Sequence, residues 1–128
     1  MGQQQLLLIL LTVILVGAAI VAGIYLFNTN VTSTNRDGVV SDLNNIGAMA
    51  QKYYKKPTSM GGGGNVFTGW IIPASLDTTG NGTYTATVVN AQSVTIVGIG
   101  TETGDDGSTK VKATANVTPS VITIAKNN

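Results

Sequence analysis

Hydrophobic and polar positions follow three successive patterns along this chain. Over residues 6–27 the sequence reads LLLILLTVILVGAAIVAGIYLF, with Thr12 its one strongly polar side chain. A helix through that run is apolar on every side, so it offers no face suited to water. It rises about 33 Å, enough to cross the hydrocarbon core of a bilayer. The second pattern is RDGVVSDLNNIGAMAQKYYKKP, where Val39, Leu43, Ile46, Ala50 and Tyr53 recur in alternating steps of four and three. That is a helical stripe, with Asp42, Asn45, Lys52 and Lys56 off it. Pro57 ends it, and the lysines before it suit a helix C-terminus. No Pro or Gly separates Phe27 from Arg36, so one helix is expected from about residue 3 to about residue 56. If it kinks or unwinds, the places are residues 17–23, bounded by glycines, or residues 28–34, where Val31, Thr32 and Thr34 weaken it.

The third pattern is period-two alternation. Residues 83–89 (TYTATVV) place Tyr84, Ala86 and Val88 on one face, and residues 93–99 (SVTIVGI) follow after a three-residue break. Residues 109–117 (TKVKATANV) turn Val111, Ala113, Ala115 and Val117 inward and Lys110, Lys112, Thr114 and Asn116 outward, and residues 120–125 (SVITIA) close the series. Such runs separated by turn residues predict an antiparallel meander. Its apolar face needs a cover, and the amphipathic helix is the only element able to supply one. The expected fold class is therefore α+β: a long N-terminal helix, apolar in its front half, with a four-stranded antiparallel sheet packed on its amphipathic half. The expected segments are an apolar membrane or filament-core helix (1–27), its amphipathic continuation (28–56), a Gly-rich connecting loop (57–82) and the sheet (83–128). Phe67 and Trp70 are expected in the core, as is Tyr53, with Tyr54 at its edge.

Composition narrows the chemistry. The chain has 128 residues, no cysteine and no histidine, and seven basic against six acidic side chains. It has no thiolate, no disulfide framework and no imidazole base or ligand. No charged residue precedes Arg36, so basic flanks do not orient the apolar segment, and no basic region marks it as a cleaved signal. Asp37 and Asp42 are too far apart to work as one carboxylate pair on a helix face. Glu102, Asp105 and Asp106 lie in TETGDDGSTK, whose spacing does not fit an EF-hand and which reads as a solvated hairpin turn. The run Gly61 to Gly64 lacks the Lys and Ser/Thr of a phosphate loop and reads as a connector. No catalytic, cofactor or metal residues are assigned, and no enzyme activity is expected. Lys52, Tyr53, Tyr54, Lys55 and Lys56 are a weak signal for base stacking, and nucleic acid is not expected as a partner. Asn30, Asn81 and Asn116 begin Asn-x-Thr triplets, glycan acceptors where the producing cell has the machinery.

The uncharged start MGQQQLLLILLTVILVGAAIVAGIYLF, the amphipathic continuation and the C-terminal sheet together resemble type IV pilins, in particular short bacterial pilin-like proteins without cysteines. The stretch PTSMGGGG adds a looser similarity to the same group. The resemblance covers the whole chain as architecture and about the first thirty residues as motif. It implies a subunit that waits in the cytoplasmic membrane and is drawn by pilus assembly machinery into a helical polymer of copies of itself, a surface filament. Leu6, Leu7, Leu8, Ile9, Leu10, Leu11, Val13, Ile14, Gly17, Ala18, Ala19, Ala22 and Gly23 would then pack the filament core. Ala18/Ala22 and Ala19/Gly23 have the small-xxx-small spacing that lets helices approach closely. On a register starting at Met1, Gln5 takes the place of the Glu that pilins usually carry there, so it would set subunit register without a charge. A register starting at Gln3, after a cut behind Gly2, is the alternative. The disulfide many pilins have is absent, as is their proline within the span. A pseudopilin of a secretion system and a single-pass membrane-anchored binding module are the competing expectations.

Overall fold

A computed structural model describes Gly2 to Asn128. The chain divides into two compact units, Met1–Val31 and Thr32–Asn128. Helix α1 spans Gly2–Lys55 without a break in its helical assignment. Neither stretch named above as a weak point is unwound. The β-branched residues at 31, 32 and 34 cost only tenths of a kcal/mol each, and Thr32 adds an anchor, its hydroxyl donating to the Thr103 carbonyl at 2.8 Å.

In the second unit the α1 stripe is buried as its spacing requires. Val39, Leu43, Ile46 and Ala50 are almost fully enclosed. They pack with one face of a four-stranded sheet in the order β1-β2-β3-β4, every neighbouring pair antiparallel. The strands are β1 (Gly82–Asn90), β2 (Ser93–Thr103), β3 (Lys110–Val117) and β4 (Ile122–Lys126). Their inward faces carry Tyr84 from β1, Val94 and Ile96 from β2, and Val111, Ala113, Ala115 and Val117 from β3. The alternation in β3 thus falls as its sequence reads. β2 is longer than its apolar run suggests, because residues 100–103 continue it, with Gly100 paired to Gly82 and Thr103 to Lys110. β4 starts two residues later than its sequence run, since Thr118 and Val121 close a turn there.

Helix and sheet meet at short range. A Cβ on Gly98 would stand 2.9 Å from Val39 Cγ1, and one on Gly47 would stand 2.9 Å from Ile122 Cδ1. The four-glycine run is a tight wrap over the helix end. Gly63 N–H donates to Tyr53 O at 2.8 Å and Asn65 N–H to Tyr54 O at 2.7 Å, satisfying the last carbonyls of α1. Gly61 and Gly64 sit at φ of 81° and 60°, which side chains resist. Phe67 and Trp70, carried back over the core by this wrap, are buried as expected. Tyr54 lies half-buried at the edge of the core, as expected, its ring 4.9 Å from that of Phe67.

Candidate functional site

The first unit carries its chemistry on its surface. Every large apolar side chain from Leu6 to Phe27 is exposed, from 53% at Leu11 and Val16 to 71% at Tyr25. Exposure is continuous around the helix, as a run without periodicity dictates. It is long and apolar enough to cross a membrane. Its hydroxyls are satisfied within the helix: Thr12 donates to Leu8 O at 2.8 Å and Thr29 to Tyr25 O at 3.0 Å. Polar side chains closed on their own backbone are compatible with an apolar environment. The residues named above as packing positions all lie on this exposed stretch, Gly17, Ala18, Ala19, Ala22 and Gly23 among them, and Gln5 is exposed too. At Gly17 and Gly23 an added Cβ would meet nothing within 4 Å. Their small size therefore answers to no neighbour within the chain, unlike that of Gly47 and Gly98.

The second unit gathers its polar residues into two fasteners that sequence reasoning left unassigned. Asp42 Oδ2 accepts hydrogen bonds from Thr79 Oγ1 at 2.6 Å, Tyr84 OH at 2.6 Å and Asn81 Nδ2 at 3.0 Å. Burial opposes the charge on Asp42, but these three donors outweigh it and hold the carboxyl below its ordinary pKa. Burial, and then the bond to Asp42, push the Tyr84 phenol well above its ordinary value, so it stays a donor. Beside this cluster Asn35, only 8% exposed, donates to Asn81 O at 2.8 Å and to Thr101 Oγ1 at 3.3 Å. The helical stripe extrapolated back one step from Val39 lands on Asn35, and that was the one signal available for it.

The second fastener surrounds Asn128. Its Nδ2 donates to Thr109 Oγ1 at 2.6 Å, its Oδ1 accepts from Asp106 N–H at 3.1 Å, and its carbonyl oxygen accepts from Arg36 Nε at 3.2 Å. Arg36 Nη2 also lies 2.6 Å from Asp105 Oδ2, the one ion pair among the described residues. Asp106 accepts from Thr109 Oγ1 and from the N–H groups of Ser108 and Thr109. These bonds, the Thr109 hydroxyl first, set its pKa far below the ordinary carboxylate value. Asp106 is therefore fixed by hydrogen bonds and Asp105 by its ion pair, and no cluster of metal-ligating side chains occurs among the described residues.

Two further expectations are narrowed. The Tyr53 hydroxyl donates to Thr68 O at 2.9 Å and the Tyr54 hydroxyl to Gln92 Oε1 at 2.8 Å, and both rings pack against the core. Of the three Asn-x-Thr triplets, Asn30 and Asn116 are exposed, but the Asn81 amide nitrogen is committed to Asp42. A glycan on Asn81 would break that cluster. Comparison with known proteins returns no match, whether by protein family, by curated sequence or by solved structure.

Proposed function

We propose that this chain is a structural subunit that polymerises through its apolar N-terminal helix into a type IV pilus-like extracellular filament. The observation that carries this reading is the unrelieved exposure of residues 6–27. Outside a bilayer, a helix apolar on all sides must be covered, and copies of itself in a helical array cover it completely. Burying a large apolar side chain contributes roughly 1.5–3 kcal/mol, so the sixteen from Leu6 to Phe27 would make a durable core. The small residues support the same reading. Gly17 and Gly23 have open space around them within the chain, and small residues at helix interfaces allow close approach. The subunit would wait in the cytoplasmic membrane, with the head of residues 32–128 outside, until assembly machinery extracts it.

Electron microscopy of filaments sheared from producing cells, with mass spectrometry of their main band, tests this. Long fibres built mostly of this chain are the expected outcome. A chain confined to the membrane fraction, with no fibres, would sink the proposal and favour the anchored binding module. Short periplasmic assemblies without surface fibres would favour the pseudopilin. The same spectrum reads the N-terminus, Met1 or Gln3.

A further inference from the structure

The second unit holds all thirteen charged side chains, and its basic residues Arg36, Lys110, Lys112 and Lys126 lie in the same stretches of chain as its acids. All six acids lie at Asp37, Asp42, Asp77, Glu102, Asp105 and Asp106, leaving residues 43–76 without one. Within that acid-free stretch stand Lys52, Lys55 and Lys56. They line a groove of about 580 Å3 together with Gln51, Pro57 and Met60. Met60 is 65% exposed, so the groove offers an apolar lip beside three ammonium groups. None of these lysines makes an ion pair among the described residues.

The complementary surface is the β2–β3 turn. Glu102, near the end of β2, and Asp105, in the turn itself, are both exposed, the Asp105 side chain 72% despite its bond to Arg36, and Lys110 starts β3 beside them. The turn is pre-organised by the Asp106 and Asn128 hydrogen bonds and by Gly104 N–H donating to Thr109 O at 2.7 Å. Little ordering entropy remains to oppose docking. Groove and turn cannot meet within one copy. The turn is tied to α1 at Thr32 and Arg36, and 19 residues of helix from Arg36 to Lys55 rise about 28 Å.

We infer that the groove at Lys52, Lys55, Lys56 and Met60 is a docking site for the Glu102–Asp105 turn of a second copy of this chain, joining heads in a head-to-tail series. This rests on the filament reading above. A heterologous contact of this kind repeats from copy to copy and builds a fibre where its rotation does not close a ring. Single exposed ion pairs are weak, so the contact sets register and spacing between heads, while the apolar helices supply the bulk of the cohesion.

The test uses intact fibres of the full chain and a zero-length carbodiimide, which joins an amine to a carboxylate only where the two touch. Digestion and mass spectrometry should recover a linked pair of peptides, one from residues 52–56 and one from residues 102–105, and the separation along α1 makes any such link intermolecular. Lys55→Glu should reduce that link at least several-fold, and Lys55→Glu combined with Glu102→Lys should restore it. Intact fibres that give other links but not this one would overturn the inference while leaving the filament reading standing. Absence of fibres from the unsubstituted chain would remove the filament reading and this inference with it. Lysine-dependent binding of the monomer to phosphatidylglycerol vesicles, with no such link in fibres, would assign the groove to an anionic membrane surface instead and overturn the docking of copies.

Discussion

At the scale of single residues, one carboxylate oxygen organises the junction between α1 and the loop leading into β1. Asp42 receives Thr79, Asn81 and Tyr84 on the same atom. Asp42→Ala would leave all three donors without their acceptor, and bonds to a charged group are each worth about 1.5–3 kcal/mol. Partial exposure lets water replace some of them, so a loss of about 2–3 kcal/mol is expected, read as a lower urea midpoint for the Trp70 signal in detergent-solubilised protein. Stability should also depend on pH at both ends. Asp42 and Asp106 have folded pKa values below the unfolded ones. Their contribution is full above about pH 4 and is lost as pH falls through the folded values. Tyr84 has a raised folded pKa. Its contribution is full below about pH 10 and declines as pH rises beyond that, because the unfolded chain ionises first. Asp42→Ala should flatten the acid limb partly, leaving the share that belongs to Asp106. An unchanged acid limb would show that Asp42 is not the linked group.

At the scale of elements, legibility followed the strength of the periodic signal. The α1 stripe and the β3 alternation were readable because burial on one face forces apolar residues to recur at the period of the element, and Val39, Leu43, Ile46, Val111 and Ala113 obey it. Residues 57–81 were not readable in that way. Their structure depends on backbone donors closing the end of α1 and on Asn81 and Thr79 meeting Asp42, pairings between residues nearly forty positions apart that leave no periodic trace. Asn128 escaped notice for the same reason, since its partners lie on α1 and in the β2–β3 turn. Asn128→Ala is therefore expected to speed amide exchange in the β2–β3 turn while leaving the core strands protected, a local loosening measurable by hydrogen exchange. Close packing of helix on sheet is testable at Gly98. Gly98→Ala would drive a methyl against Val39 and Tyr84, both 2.9 Å away, and should cost about 1–3 kcal/mol. Gly80→Ala meets nothing within 4 Å and should be neutral or slightly stabilising, which separates overpacking from a general intolerance of substitution.

At the scale of the whole molecule, the two units obey different solvents. The head buries thirteen apolar residues in one cluster and leaves only scattered ones such as Met60, Ile71 and Val89 exposed. The first unit leaves every large apolar side chain from Leu6 to Phe27 exposed, and on the proposed reading lipid or other chains cover them. On the filament proposal, a substitution there should be silent in every property of the isolated subunit and audible only in assembly. Ala19→Leu makes the clearest case, because residue 19 is exposed and Leu is as good a helix former as the position needs. The variant should keep its far-ultraviolet circular dichroism, its membrane partition and the urea midpoint of its head. In a packed array of helices, however, the added side chain would hold neighbouring backbones apart where Ala19 and Gly23 allow contact. Fibre yield from cells should fall to a small fraction of normal, with subunit accumulating in the membrane. Lipid alone accommodates a leucine without penalty, so undiminished fibres from Ala19→Leu would show that this face of the helix is not an interface between copies.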